Sequence, residues 1–154
     1  MKDMITLLTL TLEDVKIIKA WPPYPPEISK LDFAIRDGGW LDTKKDADFL
    51  SVYTNKILIG FIGLYEINEN NGEFLIAMHT DYIGKGYGSS AMKMAIQHYF
   101  NKYRLAKIKL RVRKTNHVAR HVYKKIGFKD CDESIRNIQG KLVEFWDMYI
   151  DTII

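Results

Sequence analysis

The stretch Thr80-Asp81-Tyr82-Ile83-Gly84-Lys85-Gly86-Tyr87-Gly88-Ser89-Ser90 lies between a run that reads as a strand and one that reads as a helix, and its interpretation decides the fold. Three alternating glycines let the backbone approach a ligand closely, because no side chain intervenes. The helix that follows offers unpaired N–H groups and the positive end of its dipole, a ready place for an anion. Two phosphate-binding patterns fail here. A P-loop needs Gly-Lys followed by Ser or Thr, whereas Gly86 follows Lys85. A dinucleotide fingerprint forced onto Gly86-x-Gly88-x-x-Ala91 wants an acid about 20 residues onward, and none occurs before Asp130. A glycine turn that merely closes tightly onto its helix stays open as the ligand-free reading.

Downstream, apolar residues recur at helical spacing from Tyr87 to Tyr103 (Met92, Ala95, Ile96, Tyr99, Phe100). Lys107 to Arg113 alternates, with Ile108, Leu110 and Val112 inward and the bases outward. Asn116 to Ile126 predicts a helix with Val118, Ala119, Val122, Tyr123 and Ile126 on one side, stopped by Gly127. Phe128–Cys131 and Lys141–Ile150 read as strands. Upstream, Glu73–His79 follows the turn Asn68–Gly72 and the apolar strands Phe49–Tyr53 and Ile57–Ile67. Glu27–Asp37 predicts a helix opened by Pro26 and closed by Gly38-Gly39, with Ile28, Leu31 and Ile35 as its stripe. The chain starts with a strand over Ile5–Thr11 and a helix capped by Thr11, whose stripe is Leu12, Val15 and Ile18. Pro22, Pro23, Pro25 and Pro26 end that helix. This order of strands and helices predicts a mixed α/β (α+β) sheet in one domain spanning residues 1–154.

Composition narrows the function class. With 47% hydrophobic and 27% charged residues, extended disorder is excluded. No apolar run approaches the roughly 20 residues of a membrane-spanning helix. The lone Cys131 excludes an internal disulfide, and Met1-Lys2-Asp3-Met4 does not read as a secretion leader, so a cytoplasmic protein is expected. The net charge of +4 hides an asymmetry. From Tyr82 to Lys129 there are thirteen bases and no acid, leaving ten bases against nineteen acids elsewhere, a balance of −9. Such a field concentrates polyanions, and a phosphorylated cofactor or a nucleic acid both fit it.

The glycine turn and the helix after Asn116 together resemble the GNAT superfamily of acetyl-CoA-dependent N-acyltransferases. The family's cofactor loop, Gln/Arg-x-x-Gly-x-Gly/Ala, corresponds to Ile83-Gly84-Lys85-Gly86-Tyr87-Gly88, which departs only at Ile83. Its second block is reproduced by Asn116, Ala119, Tyr123, Lys124, Gly127 and Phe128, and the final strand Phe145-Trp146-Asp147-Met148-Tyr149 is similar too. The resemblance implies a mostly antiparallel central sheet, splayed between its fourth and fifth strands and flanked by helices on both faces. It implies acetyl-CoA as co-substrate, its pantetheine arm beside Ala77 and Met78 and its diphosphate on amides of Gly84, Lys85, Gly86, Tyr87, Gly88 and Ser89. Ile83, Asn116 and Tyr123 complete the implied cofactor contacts, and no metal is implied.

The implied reaction is direct transfer of acetyl to a primary amine. Its acceptor amine must become neutral, its oxyanion needs donors, and its leaving thiolate benefits from a proton. By resemblance Tyr123 is the general acid, against a core role on its apolar stripe, and an N–H near Met78 meets the oxyanion. Glu73 is the candidate base and Glu66 the runner-up; His79 or Asp81 acting through water is a further route. The position where some relatives keep an acid is Arg111. Trp21, Tyr24 and Trp40 either line the acceptor pocket or pack on the sheet. His117 and His121 have zinc-like spacing without a third ligand, and Cys131 lacks an activating neighbour. The −9 remainder points to a cationic acceptor such as a polyamine, a lysine side chain or an amino sugar. Two alternatives stand beside this: a catalytically weak module that binds and senses acyl-CoA, and an acetyltransferase acting on an RNA-linked amine, with a homodimer compatible with each.

Overall fold

The computed structural model describes residues 4–151; the leader reading of Met1 to Asp3 falls outside them. Seven strands form one sheet in the order β1-β2-β3-β4-β5-β7-β6. They are β1 (Ile5–Thr9), β2 (Asp48–Thr54), β3 (Ile57–Tyr65), β4 (Asn71–Met78), β5 (Lys107–Arg113), β6 (Lys129–Ile138) and β7 (Lys141–Ile150). Every neighbouring pair is antiparallel except β4 and β5. The helices are α1 (Leu12–Lys19), α2 (Trp40–Thr43), α3 (Tyr87–Tyr103) and α4 (His117–Ile126). No helix among the described residues is long and apolar enough to cross a membrane. The mixed, mostly antiparallel sheet with helices on both faces is the expected architecture.

Alternation along the strands divides the core into two layers. On one face Ile62, Leu64, Phe74, Ile108, Leu110 and Val112 pack against Ala91, Met92, Ala95, Ile96 and Tyr99 of α3. On the other, Phe61, Tyr65, Leu75 and Ala77 pack against Ile18, Trp21, Tyr24 and Ile35. The sheet is therefore buried on both sides at its centre, which explains the nearly unbroken apolar run of β3.

Several local expectations are corrected. Pro26–Ile35 is a 3₁₀ segment broken at Ile28 (φ −129°), not a regular helix. Strand β6 continues to Ile138, although its Asp, Glu, Ser and Arg residues hide it from an apolar-run reading. The upstream turn is shorter than its composition suggests, since Asn71 and Gly72 already belong to β4. Val118 and Leu12 are exposed. In α1 the buried positions are Asp14 and Ile18.

Asp14 takes the inward place because it completes a reciprocal cap: its amide donates to the Thr11 hydroxyl, and its carboxylate accepts from the Thr11 amide, both at 3.1 Å. The same carboxylate accepts from Ser51 at 2.7 Å and from Tyr53, tying α1 to β2. Burial pushes the Asp14 carboxyl up, but the bonds from Tyr53, Ser51 and Thr11 outweigh it and hold it below its usual value. A depressed carboxyl contributes stability above its unfolded-state pKa and loses it as pH falls through the folded value. Asp14→Ala is expected to cost about 2–4 kcal/mol in urea unfolding, since it removes a cap and strands two hydroxyls. The gap between wild type and variant should narrow on acidification below the ordinary carboxylate range.

Candidate active site

The site begins where β4 and β5 part. Only Asn71↔Lys107, Gly72↔Ile108 and Glu73↔Lys109 are in register, after which β4 runs on to Met78 and β5 to Arg113 without pairing with each other. The His79 amide donates to the Ile59 carbonyl at 2.7 Å. Because hydrogen-bonded and non-bonded pairs alternate in an antiparallel ladder, Ala77 faces β3, whereas Ile76 and Met78 turn their main-chain groups toward the gap. One of these, the Met78 carbonyl, accepts from the buried Tyr24 hydroxyl at 2.7 Å. Of the two residues expected beside a pantetheine arm, Met78 thus presents polar groups to the gap and Ala77 does not.

Beyond β4 the chain makes a 3₁₀ turn at Thr80–Tyr82 and enters the glycine turn. Gly84 (φ +77°) and Gly86 (φ +86°) are both left-handed, a conformation that disfavours side-chain-bearing residues. A Cβ on Gly84 would meet nothing within 4 Å, so the glycine answers to the backbone and not to crowding. Gly86 is the N-cap of α3, and no side chain caps that terminus. Among the described residues the amides of Gly84, Lys85, Gly86, Gly88 and Ser89 have no acceptor. A fan of free amides at the positive end of a 17-residue helix fits a diphosphate. Ile83 is exposed beside it, and Tyr87 stacks edge-on with Tyr82 at 5.5 Å.

A cavity of about 400 Å³ occupies the gap and opens onto the second layer. Phe74, Leu75 and Ile76 form one wall and Leu110 to Arg113 the other; α2 and the 3₁₀ segment cover it through Leu31, Phe33, Trp40 and Lys44. The β6–β7 hairpin closes the end with Ile138, Gln139 and Phe145, and Tyr123 and Asn116 stand at the junction with α4. The Asn116 side chain caps α4, accepting from the Ala119 amide at 3.1 Å. Tyr123 is partly buried, 6.1 Å from the Phe128 ring, and its hydroxyl has no hydrogen-bond partner among the described residues. Burial pushes its pKa up to about 12, so the phenol stays protonated at neutral pH and can donate.

The cavity's charge is one-sided. Lys44, Arg111 and Arg113 line it, and no Asp or Glu does. The bases of β5 expected to point outward are thus half-buried on the second-layer face. Arg111 donates to the Tyr65 hydroxyl at 3.2 Å and lies 3.9 Å from Glu73. Glu73 itself does not line the cavity; burial raises its carboxyl's pKa, Arg111 opposes the rise, and Glu66 and Asp147 add to it. Glu66 is exposed at the end of β3 with φ +50° and does not line the cavity.

Trp21 and Tyr24 are buried in the second layer and only Trp40 reaches the cavity. His79 accepts from the Asp81 amide at 3.0 Å and meets Trp21 edge-on at 5.2 Å. His117 and His121 are exposed on α4. Partial desolvation and the Asp147 and Asp132 carboxylates raise the Cys131 thiol, which disfavours a thiolate there. Sequence reasoning missed Lys44, Tyr65, Arg113 and Phe145. The parity of Arg113 with Arg111 was the available signal for one of them; the others depend on long-range packing.

The profile of the acetyltransferase (GNAT) family matches residues 10–128. The chain is 39% identical over 71 residues to the spermidine N(1)-acetyltransferase of Escherichia coli K12, a match covering 45% of this chain and 38% of that protein. It therefore spans less than two fifths of that relative's length. A chimeric Vibrio cholerae spermidine N-acetyltransferase superposes with a TM-score of 0.75 at 26% identity, over 95% of this chain and 94% of that one. The Vibrio cholerae enzyme in complex with CoA and spermine superposes at 0.72 with 24% identity, over 95% and 94%, and this establishes likeness of fold.

The raised pKa of Tyr123 is open to direct measurement. The difference in ultraviolet absorbance between wild type and Tyr123→Phe should stay flat as pH passes the ordinary phenol range near 10. A step there would mean that its surroundings do not raise its pKa.

Proposed function

The chain belongs to the acetyltransferase (GNAT) family, and on that premise we propose that its described residues act as one N-acetyltransferase unit, moving acetyl from acetyl-CoA to a primary amine in a ternary complex. One observation carries this reading: the β4–β5 gap joins a fan of free amides at one end to a covered cavity at the other. Tyr123 stands at the junction.

When bound, acetyl-CoA supplies the thioester carbonyl that an amine can attack. The amides of Gly84, Gly86, Gly88 and Ser89 hold its diphosphate, with Lys85 beside them. The Met78 amide, turned into the gap, serves as the oxyanion donor. Tyr123 keeps a proton for the leaving sulfur; a phenol at about 12 holds that proton until a strong base develops next to it. The acceptor must lose a proton first. The cations around the cavity disfavour an ammonium there, which lowers the amine's pKa. Glu73, its own pKa raised by burial, takes the proton in this reading, with Glu66 as the alternative. The curated relatives are named for spermidine, a polyamine.

Isothermal titration with acetyl-CoA should give saturable heat, and an amine panel scored by free CoA should show turnover. Heat without turnover on any amine would support an acyl-CoA-sensing module, and absence of heat would remove the cofactor assignment. Tyr123→Phe should lower kcat by roughly 10²-fold with little change in KM; an unchanged kcat would take the tyrosine out of the mechanism. The acid limb of kcat/KM should lie above the carboxyl's ordinary 4.5 and disappear in Glu73→Gln.

A further inference from the structure

The names of the relatives suggest a polyamine acceptor, but the charge of the cavity points to another class. Three cations line it and no carboxylate does. Arg111 is offset by Glu73. The Arg113 side chain makes no ion pair or hydrogen bond among the described residues, and the Lys44 ammonium has only the face of Tyr65, with its Nζ 4.3 Å from the ring centroid. A half-buried guanidinium without an acid is costly unless something negative reaches it, and burial already works against the charge of Arg113. Polyamines bring only positive charge and would meet two uncompensated cations in a confined apolar space.

We infer that the acceptor carries a carboxylate as well as its amine, and that Arg113, with Lys44 beside the same cavity, holds that carboxylate while the amine faces the gap. The remaining walls, Leu31, Phe33, Trp40, Leu75 and Phe145, suit an apolar side chain, so an amino acid of the leucine or phenylalanine kind meets all three demands. A guanidinium matches a carboxylate in a two-bond fork, which fixes the orientation of the amine as well as its identity. This rests on the reading that the cavity receives the acceptor; the binding test below does not depend on turnover.

With CoA present, N-acetylphenylalanine and N-acetylphenylalaninamide are titrated into the wild type, Arg113→Gln and Arg113→Lys. The carboxylate should bind at least about tenfold more tightly than the carboxamide, the worth of one charge-assisted pair. Arg113→Gln should erase that preference and Arg113→Lys should keep part of it, with CoA binding unchanged in both. Equal binding of the two probes by the wild type would overturn the inference, whether or not any amine is acetylated. In turnover, phenylalanine should exceed spermidine in kcat/KM, and Arg113→Gln should raise the KM for phenylalanine more than it lowers kcat. Preference for spermidine, with Arg113→Gln indifferent, would also overturn it. If no amine of the panel turns over yet carboxylate-selective binding is seen, the inference stands and the transferase reading fails.

Discussion

The structure turns on two adjacent strands that stop pairing. A buried backbone that gives up its ladder must place its N–H and C=O groups elsewhere. Beyond Glu73↔Lys109 the polar groups of β4 that face the gap lose their strand partner. One is satisfied from within, by Tyr24 on the Met78 carbonyl; the rest are offered to whatever enters. The apolar residues of the two walls make such offers valuable, because a hydrogen bond formed beside them competes with little water. The glycine turn extends the same logic past the end of β4, where free amides continue along the line of approach into α3.

The two faces of the sheet divide the labour. The first layer, with α3 and α4, is apolar and rigid, and it brings Tyr123 to the edge of the gap on a helix capped by Asn116. The second layer mixes aromatic packing with buried charge: Glu73, Arg111 and Tyr65 form one linked group, and Arg113 and Lys44 remain without acid partners. A phenol and a carboxyl, both raised by desolvation, thus stand on opposite sides of the parting strands. Groups whose environments suit them to opposite proton transfers are the arrangement that acid–base chemistry requires.

Much of this was legible in the residues. The seven strands, the long helix from Tyr87 to Tyr103 and the splayed pair follow from alternation, the glycine turn and the family resemblance. The Thr11 cap is readable too, whereas the role of Asp14 as a buried anchor is not, because Ser51 and Tyr53 come from a distant strand to meet it. The polar strand β6 was shortened in prediction because its pairing is an edge matter and leaves most of it exposed, so no apolar period marks it. The inward turn of Arg113 escaped notice for the opposite reason: alternation gave its parity correctly, but whether that face met water or a second layer depended on how the 3₁₀ segment folds back.

The proline-dense passage from Trp21 to Pro26 deserves a last consequence. Four imide rings confine the dihedrals on either side of Tyr24, whose hydroxyl is latched to the Met78 carbonyl. A segment of this kind has little freedom left to surrender when a guest arrives, so the support it gives the end of β4 through Tyr24 is preformed. Selectivity in such an enclosure is exacted at the threshold, by the silhouette and polarity of the guest, more than by any closing movement afterwards. Exchange of single residues on α2 or at the β6–β7 hairpin tip would then retune which molecules are admitted while leaving the machinery beneath in place.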